Sequence, residues 1–567
     1  MSEGIEAIVK SLIDEDGDEI EDDVVVMTKS LRLFDSNVDR AKPRNHITQL
    51  IFEMEDSLIK LDAKDLTIPK LEEMAVFIYE SMSISTRNYH SVQHVFDIIN
   101  HDKRLQKSPI AILAACFHDC IYYHVDGGLT PTQAVLLDGS FKISGPGDED
   151  ASSYHLQSQK IYNFFATDRG ETPETGDDAT VQLQMVETIF GYTPGQNIRI
   201  TNDGLNEYLS ALVAVRMLSD VLPIEILAQI ACCIEATIPF RSASKETGKT
   251  HMERLHENLV AVRGVYDLKL SDEELVESVQ LACLLSNSDV GNFGTTDRHW
   301  FLDNTWSLLP ETNESLRNEY VYSVDHFHVA LYKMYGFFGF LQPAVVFHEF
   351  RGVPDLPEMG HLVKECTNNL AFGRTYVGAK LVAMSLVSAI AVLSGGDAPI
   401  SLFTGDLRAE ERRTSHGNSS TSLNQRRSRF KLSGSTMNPS SSDFLTSSTV
   451  DMQRPPKKTM KGFNQAVYEM LADGRRSESS FDTKRSPWAA LLYSCIGDEG
   501  LNKILKEQTL YPMNEERAWT LLRALPIMPV HSIVQKMSAQ ALSRTEKIEA
   551  IFATLKSEGA FAEGNDP

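Results

Sequence analysis

The sequence predicts a mostly α-helical protein, and three observations carry that prediction. Apolar residues recur at three- and four-residue spacing in Leu71–Tyr79, Val92–Ile99, Leu209–Leu218, Ile224–Ile234 and Leu275–Leu285. Alternating, β-branched runs bounded by turn residues are sparse. The 567 residues, 42% apolar and 23% charged, have an ordinary globular composition and suffice for more than one subdomain.

The elements follow in order. Residues 1–44 are expected to form an acidic N-terminal tail; 1–23 hold ten acids against one lysine, so this stretch reads as solvated and partly disordered. Residues 45–404 are expected to form one helical domain. Within it, 126–204 reads as an insertion rich in Gly, Pro, Thr and Asp, with a helix near Ser152–Phe165. Leu381–Leu393 is the most apolar stretch. Its 13 residues fall short of the ~20 needed to span a bilayer, so a buried helix is expected and no membrane partner. Residues 405–458 read as a disordered Ser/Arg-rich linker. There Arg412-Arg413-Thr414-Ser415 and Arg426-Arg427-Ser428 place basic side chains ahead of hydroxyls, a pattern suited to a basophilic kinase. Residues 459–567 are expected to form a small C-terminal helical module from Phe463–Leu471, Trp488–Cys495 and Ile548–Leu555.

Charge and cysteine usage narrow the function. A net charge of −24 argues against general nucleic-acid binding, which needs a basic face. The seven cysteines sit in apolar stretches without CxxC pairs and read as reduced core residues. The N-terminus shows no apolar leader, so a cytoplasmic location is expected.

Five residues stand out: His90 and His94 in Arg87-Asn-Tyr-His-Ser-Val-Gln-His94, His118-Asp119, and Asp289 far downstream. His90 and His94, four apart, would share one face of a helix. His118-Asp119 ends an apolar helix expected over Pro109–Tyr122, and Asp289 closes another, Leu275–Ser288. Adjacent residues diverge on a helix, so His118 and Asp119 converge on one ion only near a helix end. A histidine pair at this spacing is by itself more often surface or core than ligand. A carboxylate after the apolar Ala111–Phe117 run is costly unless paired. Imidazole plus carboxylate suits a divalent ion: Mn, Mg, Fe, Co or Zn.

These residues resemble the HD superfamily of metal-dependent phosphohydrolases. Arg87, Tyr89, His90 and His94 match its R-x-Y-H-x-x-x-H opening, and Phe117, His118, Asp119 and Tyr122 its F-H-D-x-x-Y motif. Asn206-Glu207-Tyr-Leu-Ser210-Ala211 matches N-E-x-x-S-A, Ile234-Glu-Ala-Thr237 matches I-x-x-T, and Ser288-Asp289-Val290 supplies the final aspartate. The order is right, and the likeness covers roughly residues 45–300. It implies an HD-type core in which His94, His118, Asp119 and Asp289 hold the metal and His90 protonates a leaving group. It implies a phosphate contact for Arg87, an orienting role for Glu207, and substrate contacts for Asn206 and Thr237. The implied substrate is a small-molecule phosphoester, with nucleotides among the candidates.

Two departures matter. The histidine often found three residues after I-x-x-T is absent; Phe240 and Arg241 stand there instead, as a wall and an anionic anchor. The insertion is long, and it holds a weaker competing match at Asp148-Glu149-Asp150-Ala151-Ser152. Asp325-His-Phe-His328 and His348-Glu349 lie in an aromatic-rich stretch that reads as packed core, or as the lining of a pocket or dimer face. A catalytically degenerate scaffold that binds protein partners is the competing reading. The filled ligand positions favour the enzyme, and the missing histidine favours the scaffold.

Overall fold

A computed structural model describes residues 44–144, 163–166, 178–193, 196–198, 204–318, 321–405, 463–477, 479 and 481–558. The acidic tail, the linker with its phosphoacceptor pattern and the weak match at 148–152 lie outside these residues. So does most of the helix expected near Ser152–Phe165, and Asn163–Ala166 is instead a strand.

The described chain is mostly helical, as the periodicity predicts. Its first half contains α1 (His46–Lys60), α2 (Ile68–Met82), α3 (Val92–His101), α4 (Pro109–Phe117), α5 (Asp178–Ile189), α6 (Leu205–Leu218), α7 (Ile224–Ala236), α8 (His251–Tyr266) and α9 (Asp272–Asp289). A small antiparallel sheet, β1 (Phe141–Ser144), β2 (Asn163–Ala166) and β3 (Asn197–Ile198), pairs in that order.

Helix α4 organises this half. Ser108 caps it by accepting from the Ala111 amide at 3.3 Å, and Pro109 sits where no amide is needed. All seven residues of Ala111–Phe117 are buried, so the helix has no solvent face. It packs against α1, α3, α6, α7 and α9. The small Ala111, Ala114 and Ala115 admit close neighbours, and fully burying Phe117 contributes about 1.5–3 kcal/mol. Helix α9 starts with a capping box. The Ser271 hydroxyl accepts from the Glu274 amide at 3.1 Å, and the Glu274 carboxylate accepts from the Ser271 amide at 2.7 Å. Helix α5 buries Leu183, Met185, Val186 and Ile189 against α6, α7 and α8. The end of the expected insertion is thus part of the core.

The second half contains α10 (Arg298–Ser307), α11 (Val324–Phe340), α12 (Leu356–Ser394), α13 (Gln465–Ala472), α14 (Pro487–Glu507), α15 (Glu515–Ala524), α16 (Ile527–Gln540) and α17 (Thr545–Ser557). Helix α12, with 39 residues, is its axis; α11, α14, α15 and α17 pack along it. The expected Leu381–Leu393 helix is its C-terminal part. Among the described residues α12 alone is long and apolar enough to cross a membrane, and 89% of its most apolar window is buried inside the fold.

Packing divides the chain elsewhere than composition suggested. One hydrophobic core runs from Leu50 to Leu285, with Phe350 joining it. A second runs from Phe293 to Leu555 and includes the C-terminal helices. The C-terminal module therefore shares a core with residues 293–403, and the division falls just after Asp289. The aromatic stretch is core in part: Phe327, Phe338, Phe347 and Phe350 are buried, Tyr335 and Phe337 are half-buried, and Tyr332 and Phe340 are exposed.

Candidate metal centre

Helix termini assemble the site. Helix α4 ends at Phe117, with His118 as its C-cap, still in αR geometry and donating its amide to the Ala114 carbonyl, so the His118-Asp119 pair stands at a helix end as the dipeptide requires. Asp289 is the last residue of α9, and His94 lies in the first turn of α3. Ligand-type atoms of His94, His118 and Asp119 lie within 4.8 Å of one another. The fourth expected ligand also arrives: Asp289 Oδ1 is 2.8 Å from His94 Nε2 and 3.7 Å from His118 Nε2. His90 differs from expectation. It precedes α3 rather than sharing a helical face with His94, though the two rings remain 5.8 Å apart.

One atom reveals what the cluster needs. His118 Nδ1 lies 2.8 Å from the Ala115 carbonyl. A carbonyl only accepts, so Nδ1 carries the proton and Nε2 of the neutral ring is a lone pair. That lone pair faces Asp119 Oδ2 at 3.0 Å and Asp289 Oδ1 at 3.7 Å, and it makes no hydrogen bond. Three acceptors directed at one another in a buried site repel unless a cation stands between them. Without a metal that cation is a proton. Burial opposes charge on His118, but Asp119 and Asp289 outweigh burial and raise its pKa well above the ordinary imidazole value. Burial likewise opposes ionisation of the aspartates, yet the histidines win. Asp119 falls well below the usual carboxylate range, chiefly through His118, and Asp289 falls to about 2 through His118 and His94. The His94, His118 and Asp119 cluster, with the Asp289 carboxylate beside both imidazoles, has a donor set that fits a divalent cation of the Mn, Fe, Co, Zn or Mg type.

The surrounding contacts hold these ligands in place. Arg87, expected to contact phosphate, is buried and committed elsewhere. Its Nε and NH2 donate to Asp126 at 2.9 and 2.5 Å, and NH1 donates to the Asp119 carbonyl at 2.5 Å. It braces the Asp119 backbone, and its side chain is fully buried. Asn206, expected at the substrate, instead accepts from the Tyr123 amide at 3.0 Å, and Ser210 accepts from the Ile121 amide at 3.0 Å. The N-E-x-x-S-A stretch thus pins the segment that follows Asp119. Thr237 is a third correction: it is buried, and its hydroxyl donates to the Ile234 carbonyl at 2.7 Å, closing the end of α7.

Glu311 is the residue that the sequence did not reveal. It sits in a short helical turn, Leu309–Thr312, and is buried. Its Oε1 accepts from the backbone amides of Asn88, Tyr89 and His90 at 2.6, 2.6 and 3.2 Å. Its Oε2 lies 2.6 Å from His90 Nδ1. A carboxylate accepts, so His90 donates through Nδ1 and its Nε2 is left for other chemistry. Burial opposes charge on His90, but Glu311 and Asp119 outweigh it and raise the pKa.

Glu207 is in the first turn of α6 and half-buried. Burial, with Asp119 and Asp289 adding and Arg241 opposing, lifts its carboxyl to about 7. Arg241 is clamped by Glu235 and His251.

No protein-family model, no curated protein and no solved structure matches this chain.

Proposed function

We propose that this chain is a cytoplasmic, metal-dependent phosphohydrolase of the HD type that cleaves a small-molecule phosphoester, with nucleotides among its candidate substrates. The observation that carries this reading is the His118 Nε2 lone pair turned toward two carboxylates. His94, His118, Asp119 and Asp289 would hold the metal. A bound divalent ion lowers the pKa of water and offsets charge developing on phosphoryl oxygens.

The chain's own groups supply the rest. Arg87 and Ser210 fix the backbone around Asp119. Glu207, with a pKa near 7, accepts a proton from the attacking water. His90, its Nδ1 held by Glu311, donates from Nε2 to the leaving oxygen. A new P–O bond forms from water, the ester P–O bond breaks, and an alcohol and a phosphate leave.

The test has two stages. Purified protein is assayed for metal, then screened against phosphoesters with Mn, Mg, Co, Fe and Zn supplied separately. Metal-dependent hydrolysis is expected, with both metal and activity lost in Asp119→Ala. Undiminished hydrolysis in that variant rejects the mechanism.

A further inference from the structure

Arg241 is held from one side only. Its NH2 donates to the Glu235 carbonyl at 3.0 Å, to the Glu235 carboxylate, and to His251 Nε2 at 2.9 Å. The clamp is rigid, because Glu235, His251 and His348 are all buried and the two imidazoles pack 5.8 Å apart. Yet three acceptors converge on a single nitrogen of a group that carries five N–H donors. Arg241 Nε is buried without a hydrogen-bond partner, while 22% of the side chain remains exposed. An unmet buried donor costs on the order of 1–3 kcal/mol, more when it is charged. A guanidinium serving only as a structural ion pair would spend its fork on the carboxylate.

Its position relative to the metal ligands is fixed by packing. Helices α6 and α7 are joined by a short connection and pack together, so the end of α7 lies beside the start of α6. The join is close: at Gly204 (φ +75°) an added Cβ would stand 2.1 Å from Ile238 Cδ1. Glu207 is three residues from that contact and Arg241 is three residues from Ile238. Phe240 adopts φ +59°, a conformation uncommon for a bulky residue. Its ring packs on Phe293 at 5.9 Å and Phe337 at 5.7 Å, and Phe293 is four residues beyond Asp289. Arg241 therefore lies at the same end of the bundle as Glu207, near enough for its charge to act on that carboxyl, and follows the aromatic wall formed by Phe240.

We infer that Arg241 anchors a second anionic group on the substrate, so that the centre selects phosphoesters carrying another phosphate or a carboxylate. This rests on the phosphohydrolase reading and names its substrate class. Holding the guanidinium in advance lowers the entropy cost of binding that group.

Paired probes test the idea on the manganese-loaded full chain. Adenosine 3′,5′-bisphosphate is compared with adenosine 5′-monophosphate, and 2-phosphoglycolate with methyl phosphate. Each pair differs in the second anion, and the two pairs separate phosphate from carboxylate. Affinity is read by calorimetry, or as KM where a compound is turned over. The doubly anionic member of at least one pair should bind ten-fold tighter or more. Arg241→Gln should erase that preference, so that the two members of each pair bind within about two-fold of one another. A wild-type preference below two-fold in both pairs overturns the inference, as does equal loss of both members in Arg241→Gln. If Arg241→Gln does not fold, Arg241→Lys and the wild-type preference decide: the lysine variant should keep a reduced preference. Preference without hydrolysis under any metal would sink the phosphohydrolase reading and leave the anion subsite standing. Hydrolysis without preference would do the reverse.

Discussion

Beside each core of this protein stands a pair of largely covered carboxylates, and the two pairs are neutralised differently. In the second core Asp482 meets Lys380 and receives the Trp306 indole N–H at 2.9 Å, with Arg475 3.6 Å away. Asp303 lies 3.9 Å from the same arginine. Lys380 and Arg475 also stand 4.6 and 4.8 Å from the centre of the Trp306 ring. Two acids thus meet two cations of the chain. In the first core Asp119 and Asp289 meet imidazoles alone, because the nearby cation, Arg87, is spent on Asp126. The second cluster is electrically closed. The first has no such cation of the chain itself, which is the physical difference expected between a structural ion-pair network and the proposed metal centre.

The largest effect expected is on the open cluster. Asp119→Ala should lower kcat at least 1,000-fold, about 4 kcal/mol of barrier. Chelation should lower the Tm of the wild type and leave that of the variant unchanged. A chelator that shifts both equally would erase the contrast.

The closed cluster should fail through stability instead. Asp482→Ala strands Lys380 and Arg475, both buried, without their shared partner. A loss of about 3–5 kcal/mol is expected in urea unfolding, with hydrolysis per folded molecule unchanged. Lost metal in this variant would mean that the clusters are coupled.

Acid should sharpen the comparison further. Burial lowers the pKa of both His328, in the second core, and His348 to about 4, with His251 adding at His348. An unfolded histidine titrates near 6.5, so on acidification the unfolded chain takes up these protons first. The stability present above pH 6.5 is therefore lost between pH 6.5 and 4, by about 2 kcal/mol per histidine at pH 5. The imidazoles of His90 and His118 shift the other way. Their contribution in metal-free protein grows as pH falls from 7 to 6.5, and that of the raised Glu207 carboxyl grows on toward pH 5, so these groups offset part of the loss. Unfolding of metal-free wild type and His328→Gln at pH 7 and pH 5 isolates the His328 share: the variant should lose about 2 kcal/mol less than the wild type on acidification.

The smallest effect is on positioning. Glu311→Gln keeps a side chain of the same shape but removes the charge that orients His90. A fall in kcat of about ten-fold, ~1.4 kcal/mol, is expected with metal content unchanged. Loss of metal instead would recast Glu311 as a support for the ligand site.

Much of this was legible in the sequence, for local reasons. Helical periodicity and the apolar Ala111–Phe117 run report on neighbours along the chain and located α4, whereas the set His94, His118, Asp119 and Asp289, which the fold brings together, was singled out by the likeness to the HD superfamily. What escaped notice depends on distant partners. Glu311 lies more than 200 residues from His90, in a Leu-Pro-Glu-Thr stretch that carries no signal. Because it takes the amides of Asn88, Tyr89 and His90, α3 begins only at Val92, and the expected His90–His94 helical face was wrong for that reason. Arg87, Asn206 and Thr237 look like substrate residues by position, yet their hydrogen bonds turn inward to backbone or to Asp126. The division after Asp289 was invisible because the residues on either side have similar composition.

Helix α12 imposes an order on biosynthesis. It is about 58 Å long at 1.5 Å per residue, and much of its cover comes from α14, α15 and α17, which are made after it. At 5–20 residues per second the roughly 160 residues that follow take about 8–30 s to emerge. For that interval a greasy rod trails from the ribosome with half of its sheath unwritten. Nascent chains halted near residue 405 should therefore be captured by chaperones, and release should follow once translation passes α17.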